Sequence, residues 1–451
     1  MLTDSLISGR VTPIIPMLIG LSGSVLLLIL LTLRWQVPAF LALLIASYVA
    51  GFCVGMPANE IMTQVMVGFG TTLGDIGLTI ALGALLGVLL QNSGATTAIA
   101  NGIIRILGGR YPGLALAIIG YIVSIPVYCD SGFIILDSVR QHLAKQHKVS
   151  PVFLSVVLGC ALYATHTLVP PTPGPLAALT NFHLTGHLPA VLLLGLFFSM
   201  LALCAGFLWA LYSARTLSIK APQTSHPKEH DSTSPLSFGL ALFPVILPML
   251  LICLGGLSPK ESSWGYWLAF IGHPVNALMI GLISCWFLIL KAGVHKELRH
   301  HLMDGLETGG RIILVVGCGG AFGYILRGSG LSELLTGVSG LEHWGLMLPF
   351  LTAALIKTAE GSATVALITA SALIEPLLPA LGLDSTTGRL LALFSCGGGA
   401  MTVAHVNDSF FWVIAEFTGM DTATALKTLT AATFFQGIAV LAGVQVMALW
   451  L

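Results

Sequence analysis

Apolar runs of about 18 residues or more, each long enough as a helix to cross a bilayer, recur along the chain. They predict spans at roughly 16–33, 38–56, 74–104, 151–185, 188–213, 239–257, 268–290, 310–337, 388–420 and 428–451. Two further apolar stretches, 113–139 and 344–380, carry polar residues near their middles. The polar interruptions repeat. Gly83–Gly94 (GALLGVLLQNSG) aligns without gaps on Gly319–Gly330 (GGAFGYILRGSG). Cys129-Asp130-Ser131-Gly132 is answered by Ala359-Glu360-Gly361-Ser362, and Thr165-His166-Thr167 by Ala404-His405-Val406. Order and approximate spacing are kept. A duplicated membrane protein with matched polar breaks usually holds its ligand where the copies meet. The pattern divides the chain into a first repeat (1–213), a linker (214–238) rich in Pro, Ser, Thr, His and charge, and a second repeat (239–451).

Composition narrows the class. Only 8% of the 451 residues are charged and 56% are hydrophobic, against about 25% charged in soluble domains. Such a chain cannot cover a water-facing surface, so it reads as an all-α polytopic membrane protein. Formal net charge is zero, which gives nucleic acid no purchase. Eight scattered cysteines form no CxxC or Cys/His cluster, so neither a disulfide framework nor a metal site is expected, and no cleavable signal is evident.

Lys and Arg concentrate in short cytoplasmic loops. Arg34, Arg105, Arg110, Arg140, Lys145, Lys148, Arg215, Lys220, Lys228, Lys291, Lys296 and Arg299 all fall between predicted hydrophobic segments. Both ends of 113–139 are then cytoplasmic, which makes it a re-entrant hairpin with its tip near Asp130. Between residues 328 and 388 the only basic residue is Lys357, while Glu333, Glu342 and Asp384 sit in the flanks. The stretch 344–380 thus enters from the outside. Each half holds five spans and one hairpin. Five is odd, so the second copy is inverted and both termini are external. The alternative, a single crossing by 113–139, would put Arg105 and Arg110 outside.

Broken backbone at membrane depth survives only where protein or a water-filled cavity satisfies it. Four breaks qualify. In the first, Pro126 to Phe133, the arm starting near Ser131 would aim free N–H groups at the membrane centre, suited to an anion; Ser131 and Gly132 join the site, and Asp130 either titrates or merely caps the arm. In the second, His166 to Pro175, four prolines in six positions exclude a regular helix, and His166 and Thr172 become donors. In the third, Lys357 and Glu360 are spaced for an ion pair; alternatively Lys357 meets a substrate carboxylate beside Gly361, Ser362 and Thr364. The fourth places His405, Asn407, Asp408 and Ser409 inside the segment 388–420. Asn407 and Ser409 suit hydroxyl recognition. Asp130, Glu360, Asp408 and His405 are the candidates for a coupling proton.

At HTLVPPTPGP (His166–Pro175), GSATVA (Gly361–Ala366) and HVNDSFFW (His405–Trp412) the chain resembles the gluconate permease family of gluconate:proton symporters. The resemblance implies uptake of sugar acids or related hydroxylated acids, one branch taking D-serine. Its superfamily implies homodimers, polar-tipped hairpins and an elevator movement of a transport element against a scaffold. Thr172 stands where His is common, Cys129–Gly132 departs from a FFDxGF form, Glu360 adds an acid, and Phe410 replaces a smaller residue in some relatives. These departures bear on which acid is carried.

The expectation is a bacterial inner-membrane secondary transporter of a small hydroxylated carboxylate, driven by protons, without cofactor. Sodium coupling is the nearest rival. No Walker, HExxH or GxSxG signal supports ATP hydrolysis or hydrolase chemistry. An intramembrane enzyme using Asp130 or Asp408, or a passive channel, are the other classes.

Overall fold

The computed structural model describes residues 14–35, 37–107, 111–216, 236–256, 258, 263–293, 297–329, 343–406 and 408–450. Among these the chain is helical, without strands. Helices α1 (Ile14–Leu33), α2 (Ala39–Cys53), α3 (Ala58–Asn92) and α4 (Ala95–Leu107) are followed by two arms, α5 (Pro112–Val123) and α6 (Cys129–His147). A broken segment comes next, α7 (Pro151–Leu168) and α8 (Pro173–Asn181), then α9 (Leu188–Thr216). The second half runs α10 (Phe238–Gly256), α11 (Ser263–Ile271), α12 (Pro274–Ala292) and α13 (Leu298–Gly328). Its two arms are α14 (Met347–Glu360) and α15 (Ala363–Ile374), and its broken segment is α16 (Thr386–Met401) and α17 (Ser409–Thr418). The short α18 (Thr422–Ala425) leads through a π turn into α19 (Ala431–Ala448).

Seven described helices are long and apolar enough to cross a membrane: Ala58–Asn92, Pro151–Asn181, Thr185–Thr216, Phe238–Gly256, Pro274–Ala292, Leu298–Gly328 and Thr422–Ala448. The expected run 74–104 is two helices, because Ser93 and Gly94 stop α3 and the Ser93 hydroxyl accepts from the N–H of Ala95. The expected span 268–290 is likewise divided, with Pro274 opening α12. Expected 310–337 begins earlier, at Leu298, and the i,i+4 pair Glu307–Arg311 bridges this polar extension to the apolar run. Most of the expected linker, 217–235, lies outside the described residues.

Arg140 is not a loop charge. It lies inside α6, 1% exposed. Its guanidinium pairs with Asp137 and donates to the carbonyls of Pro151 and Phe417, tying α6 to α7 and α17. Arg fits this position because its planar fork can meet three acceptors at once.

Two long helices form the spine. α3 and α13 pack along their lengths and run antiparallel: Gly68 faces Ala321 and Tyr324, while Gly305 faces Leu85. A side chain on Gly68 would put its Cβ 2.9 Å from the Ala321 Cα, so the close approach requires glycine. Around the spine the packing partners of the two halves correspond. α5 packs on α7 as α14 packs on α16; α6 packs on α17 as α15 packs on α8. α1 packs on α2 as α10 packs on α12. Burial is graded accordingly. The apolar window of the α7–α8 segment is 100% buried, whereas that of α10 is 28% buried and turns its apolar surface outward.

Candidate functional site

Each of the four breaks starts a new helix, and the four starts meet. α6 begins at Cys129 after Ser124–Tyr128, where the Ser124 hydroxyl donates to the Leu162 carbonyl at 2.7 Å and fixes the bend on α7. α8 begins after Val169–Thr172, around a cis Pro170–Pro171 bond. α15 begins after Gly361, whose φ of 81° is a left-handed conformation that glycine adopts without steric cost. α17 begins after Thr402–Asp408. That last break is held by hydroxyls: Thr433 Oγ1 accepts from the Ala404 N–H at 3.0 Å, and Thr430 Oγ1 donates to the Ala404 carbonyl. Unpaired, these groups would cost several kcal/mol each in an apolar medium.

The first residues of all four helices line one cavity of about 500 Å³: Cys129 and Asp130, Pro173, Ala363 to Val365, and Ser409 with Phe410. Helix starts carry unsatisfied N–H groups and a partial positive charge. Pro173 and Pro175 lack an N–H, so α8 contributes mainly its dipole, and free N–H groups come from the starts of α6, α15 and α17; together the four starts favour an anion. Hydroxyls of Ser362, Thr364 and Ser409 sit at the same wall. His166, 7% exposed, also lines it. Its Nδ1 has no hydrogen-bond partner among the described residues, and its ring meets Tyr128 edge-on at 5.6 Å. Nδ1 itself is sealed from the cavity, and a buried polar atom without a partner calls for an explanation, which a ligand met by a small turn of the ring would supply. α13 forms the remaining wall through Thr308, Arg311 and Val315. The Arg311 side chain, 78% exposed and paired with Glu307, marks the mouth.

The acids differ in their surroundings. Asp408 is buried. Its Oδ1 accepts from the Phe410 N–H at 2.9 Å, capping α17, and its Oδ2 is shared by the Lys357 ammonium and the Tyr163 hydroxyl. Asp130 lies across the chamber and accepts from the Ser409 hydroxyl at 3.4 Å. It is in the first turn of α6, two residues after the N-cap position Tyr128. Glu360 lines the chamber too.

The structure thus brings together Asp130, His166, Glu360, Gly361, Ser362, Thr364, Asp408 and Ser409. Other expected site residues stand apart. Ser131 and Gly132 do not line the cavity; a Cβ on Gly132 would lie 2.9 Å from Leu162, so this glycine serves packing on α7. Thr172 turns its hydroxyl back to the Val169 carbonyl at 2.6 Å. Lys357 is enclosed behind the wall, bound to Asp408 and the Gly361 carbonyl, and is not part of the cavity lining. His405 Nε2 donates to the Thr358 carbonyl at 3.0 Å, outside the lining. Asn407 lies outside the described residues. Tyr128, Cys129, Tyr163, Thr308 and Arg311 were not singled out from the sequence. Tyr163 precedes His166 by three positions, which places both on one helix face. Arg311 is the cation at which the polar first part of α13 gives way to its apolar run, itself a signal near membrane depth. No group of three metal-ligating side chains occurs among the described residues.

Comparison with known proteins agrees with this architecture. The YdaH transporter of Alcanivorax borkumensis has a similar fold, with a TM-score of 0.57 at 16% identity, covering 87% of this chain and 88% of that one. A permease of Haemophilus influenzae with no assigned substrate is 35% identical over 425 residues, 90% of this chain and 86% of its own. The low-affinity gluconate transporter of Escherichia coli K12 is 32% identical over 422 residues, 90% and 93% of the two chains. The D-serine transporter DsdX of the same organism is 29% identical over 433 residues, 93% and 95%. The GntP family permease model matches residues 15–450, and the chain belongs to that family of multi-pass membrane transporters.

Proposed function

We propose that this permease carries a small hydroxylated carboxylate, of the gluconate class, across a bacterial inner membrane together with a proton. The observation that carries the reading is the convergence of four helix starts, three hydroxyls and the His166 ring on one chamber. The carboxylate sits against the helix starts, the hydroxyls meet Ser362, Thr364, Ser409 and His166, and Arg311 draws the anion to the mouth. The gluconate transporters among the relatives support the substrate class. The resemblance to a D-serine transporter favours a second reading, a small hydroxylated amino acid, which competition by D-serine for labelled gluconate uptake would test.

Asp130 takes the coupling proton. Asp408 is already bound to an ammonium and a phenol, whereas Asp130 lines the chamber beside the Ser409 hydroxyl and the Cys129 thiol, with no cation bound to it among the described residues. Neutralising a carboxylate as the anion enters removes like-charge repulsion. Asp130→Asn should abolish accumulation driven by a pH gradient without sodium, yet preserve exchange of labelled for unlabelled gluconate in proteoliposomes. Accumulation by the variant at the wild-type level would remove Asp130 from coupling, and a wild type that requires sodium would remove the proton.

Alternating access follows from two opposed repeats, each with a re-entrant hairpin (α5–α6, α14–α15). The antiparallel α3–α13 spine and the corresponding packing partners support this. The spine is the scaffold, and the hairpins with the broken helices are the element that moves in elevator fashion. By the charge bias, the chamber opens to the cytoplasm beside Arg311. At the other end of the spine a second cavity of about 450 Å³ lies among Gln64, Asp75, Asn181 and Arg327. There Arg327 lies 2.8 Å from His183 and 3.8 Å from Glu375, joining spine to moving element on the outer side. A homodimer, as the family resemblance implies, completes the reading; light scattering of the purified protein would test it.

A further inference from the structure

Lys357 has a charge that the transport reading leaves unused. Its side chain is 0% exposed, at the last turn of α14. The ammonium donates to the Gly361 carbonyl, freed where the helix ends, and to Asp408 Oδ2 at the start of α17. The Tyr163 ring stands on a further side, its centroid 5.8 Å away, and its hydroxyl reaches the same Asp408 oxygen at 3.4 Å. A carbonyl at a helix end, a carboxylate at a helix break and a phenol are hard oxygen donors. Unwound carbonyls and half-helix ends of this kind coordinate sodium in membrane carriers, and hard cations take carboxylate and carbonyl oxygens.

We infer that Lys357 is a tethered cation filling what is otherwise a sodium site, so that the second hairpin and the second broken helix are locked together without an imported ion. The inference rests on the proton-coupled reading above and deepens it. An ammonium on a side chain cannot leave into either solution, so this position carries no sodium ion across the membrane. On the proton-coupled reading, Asp130 remains the group that takes the coupling proton. The other titratable groups around the chamber are Cys129 and Asp130 on α6, His166 on α7 and Glu360 on α14, with His405 behind the break. A plain structural ion pair would account for the burial, but it would not bind sodium once the lysine is shortened.

Lys357→Ala leaves the carboxylate, the carbonyl and the space of the lost ammonium and its methylene stem. In the purified full-length protein, wild type should melt at the same temperature in sodium and in matched choline chloride. The K357A variant should melt several degrees higher in sodium, with saturation in the millimolar range. Its uptake of labelled gluconate should fall at least tenfold without sodium and recover in part with it. Lys357→Met, which refills the space with an apolar chain, should show neither the shift nor the recovery. Recovery of folded K357A only when sodium is present would also support the site. Equal melting of K357A in both salts would overturn it. So would failure of K357A to fold in either salt while the Lys357→Met/Asp408→Asn double variant folds. The two readings fail separately. Proton-driven uptake by wild type with no sodium shift in K357A removes the cation site alone. A sodium shift in K357A with no wild-type gluconate uptake removes the substrate reading alone.

Discussion

His166 shows how much one atom can say. A buried imidazole nitrogen without a partner costs about as much as a lost hydrogen bond, and this chain keeps one at the wall of the chamber. A ligand hydroxyl or carboxylate oxygen, met by a small turn of the ring, would repay that cost. His166→Ala should weaken gluconate binding by roughly ten- to a hundredfold, since a hydrogen bond involving a charged group contributes about 1.5–3 kcal/mol. Isothermal titration of the detergent-solubilised variant checks this, and unaltered affinity would mean that the ring only packs on Tyr128. Lys357 makes the opposite point. Its residue type and position in the third break suggested a carboxylate partner in the substrate, and its partner is instead a carboxylate of the protein, Asp408. Spacing along one helix could relate Lys357 to Glu360; nothing local related it to a residue on another helix.

At the scale of elements, the breaks matter more than the spans. Each break releases backbone groups; the first and fourth are rebuilt across elements, Ser124 on Leu162 and Thr430 and Thr433 on Ala404, whereas the second and third are met locally, by Thr172 on Val169 and Lys357 on Gly361. Val403, at φ 53°, shows the same constraint, because a β-branched residue holds that conformation only when its surroundings impose it. Gly361 is the hinge between α14 and α15. Gly361→Ala places a Cβ on a left-handed residue, at a cost of about 1–2 kcal/mol, and should both lower the melting temperature and misplace Ser362 and Thr364. Slower uptake with a melting point reduced by a few degrees is the expected result. Unchanged values for both would show that the turn tolerates L residues.

At the scale of the molecule, the long antiparallel pair α3–α13 organises the halves, and the chamber lies against its side. Opposed repeats require residues 110 and 384 to face opposite solutions. Single cysteines placed there, in a background without the native eight, should respond differently to an impermeant thiol reagent in intact cells. Only the one at 384 should react. Reaction at both positions, or at neither, would contradict the opposed arrangement.

Sequence alone determined the class of the protein and the location of its breaks. Low charge and long apolar runs leave a chain no option but the bilayer, and proline, glycine and clustered polar residues cannot continue a helix there. The family followed from the motifs at those breaks. Tertiary structure decided which break residues share the chamber. It turned Thr172 inward, set Gly132 against α7, buried Arg140 and Lys357, and brought Tyr163 and Arg311 into the site. The physical reason is that helix breaks are local, set by backbone sterics over a few residues. The partner that satisfies a buried charge is chosen by packing between elements hundreds of residues apart, as Tyr163 and Asp408 are.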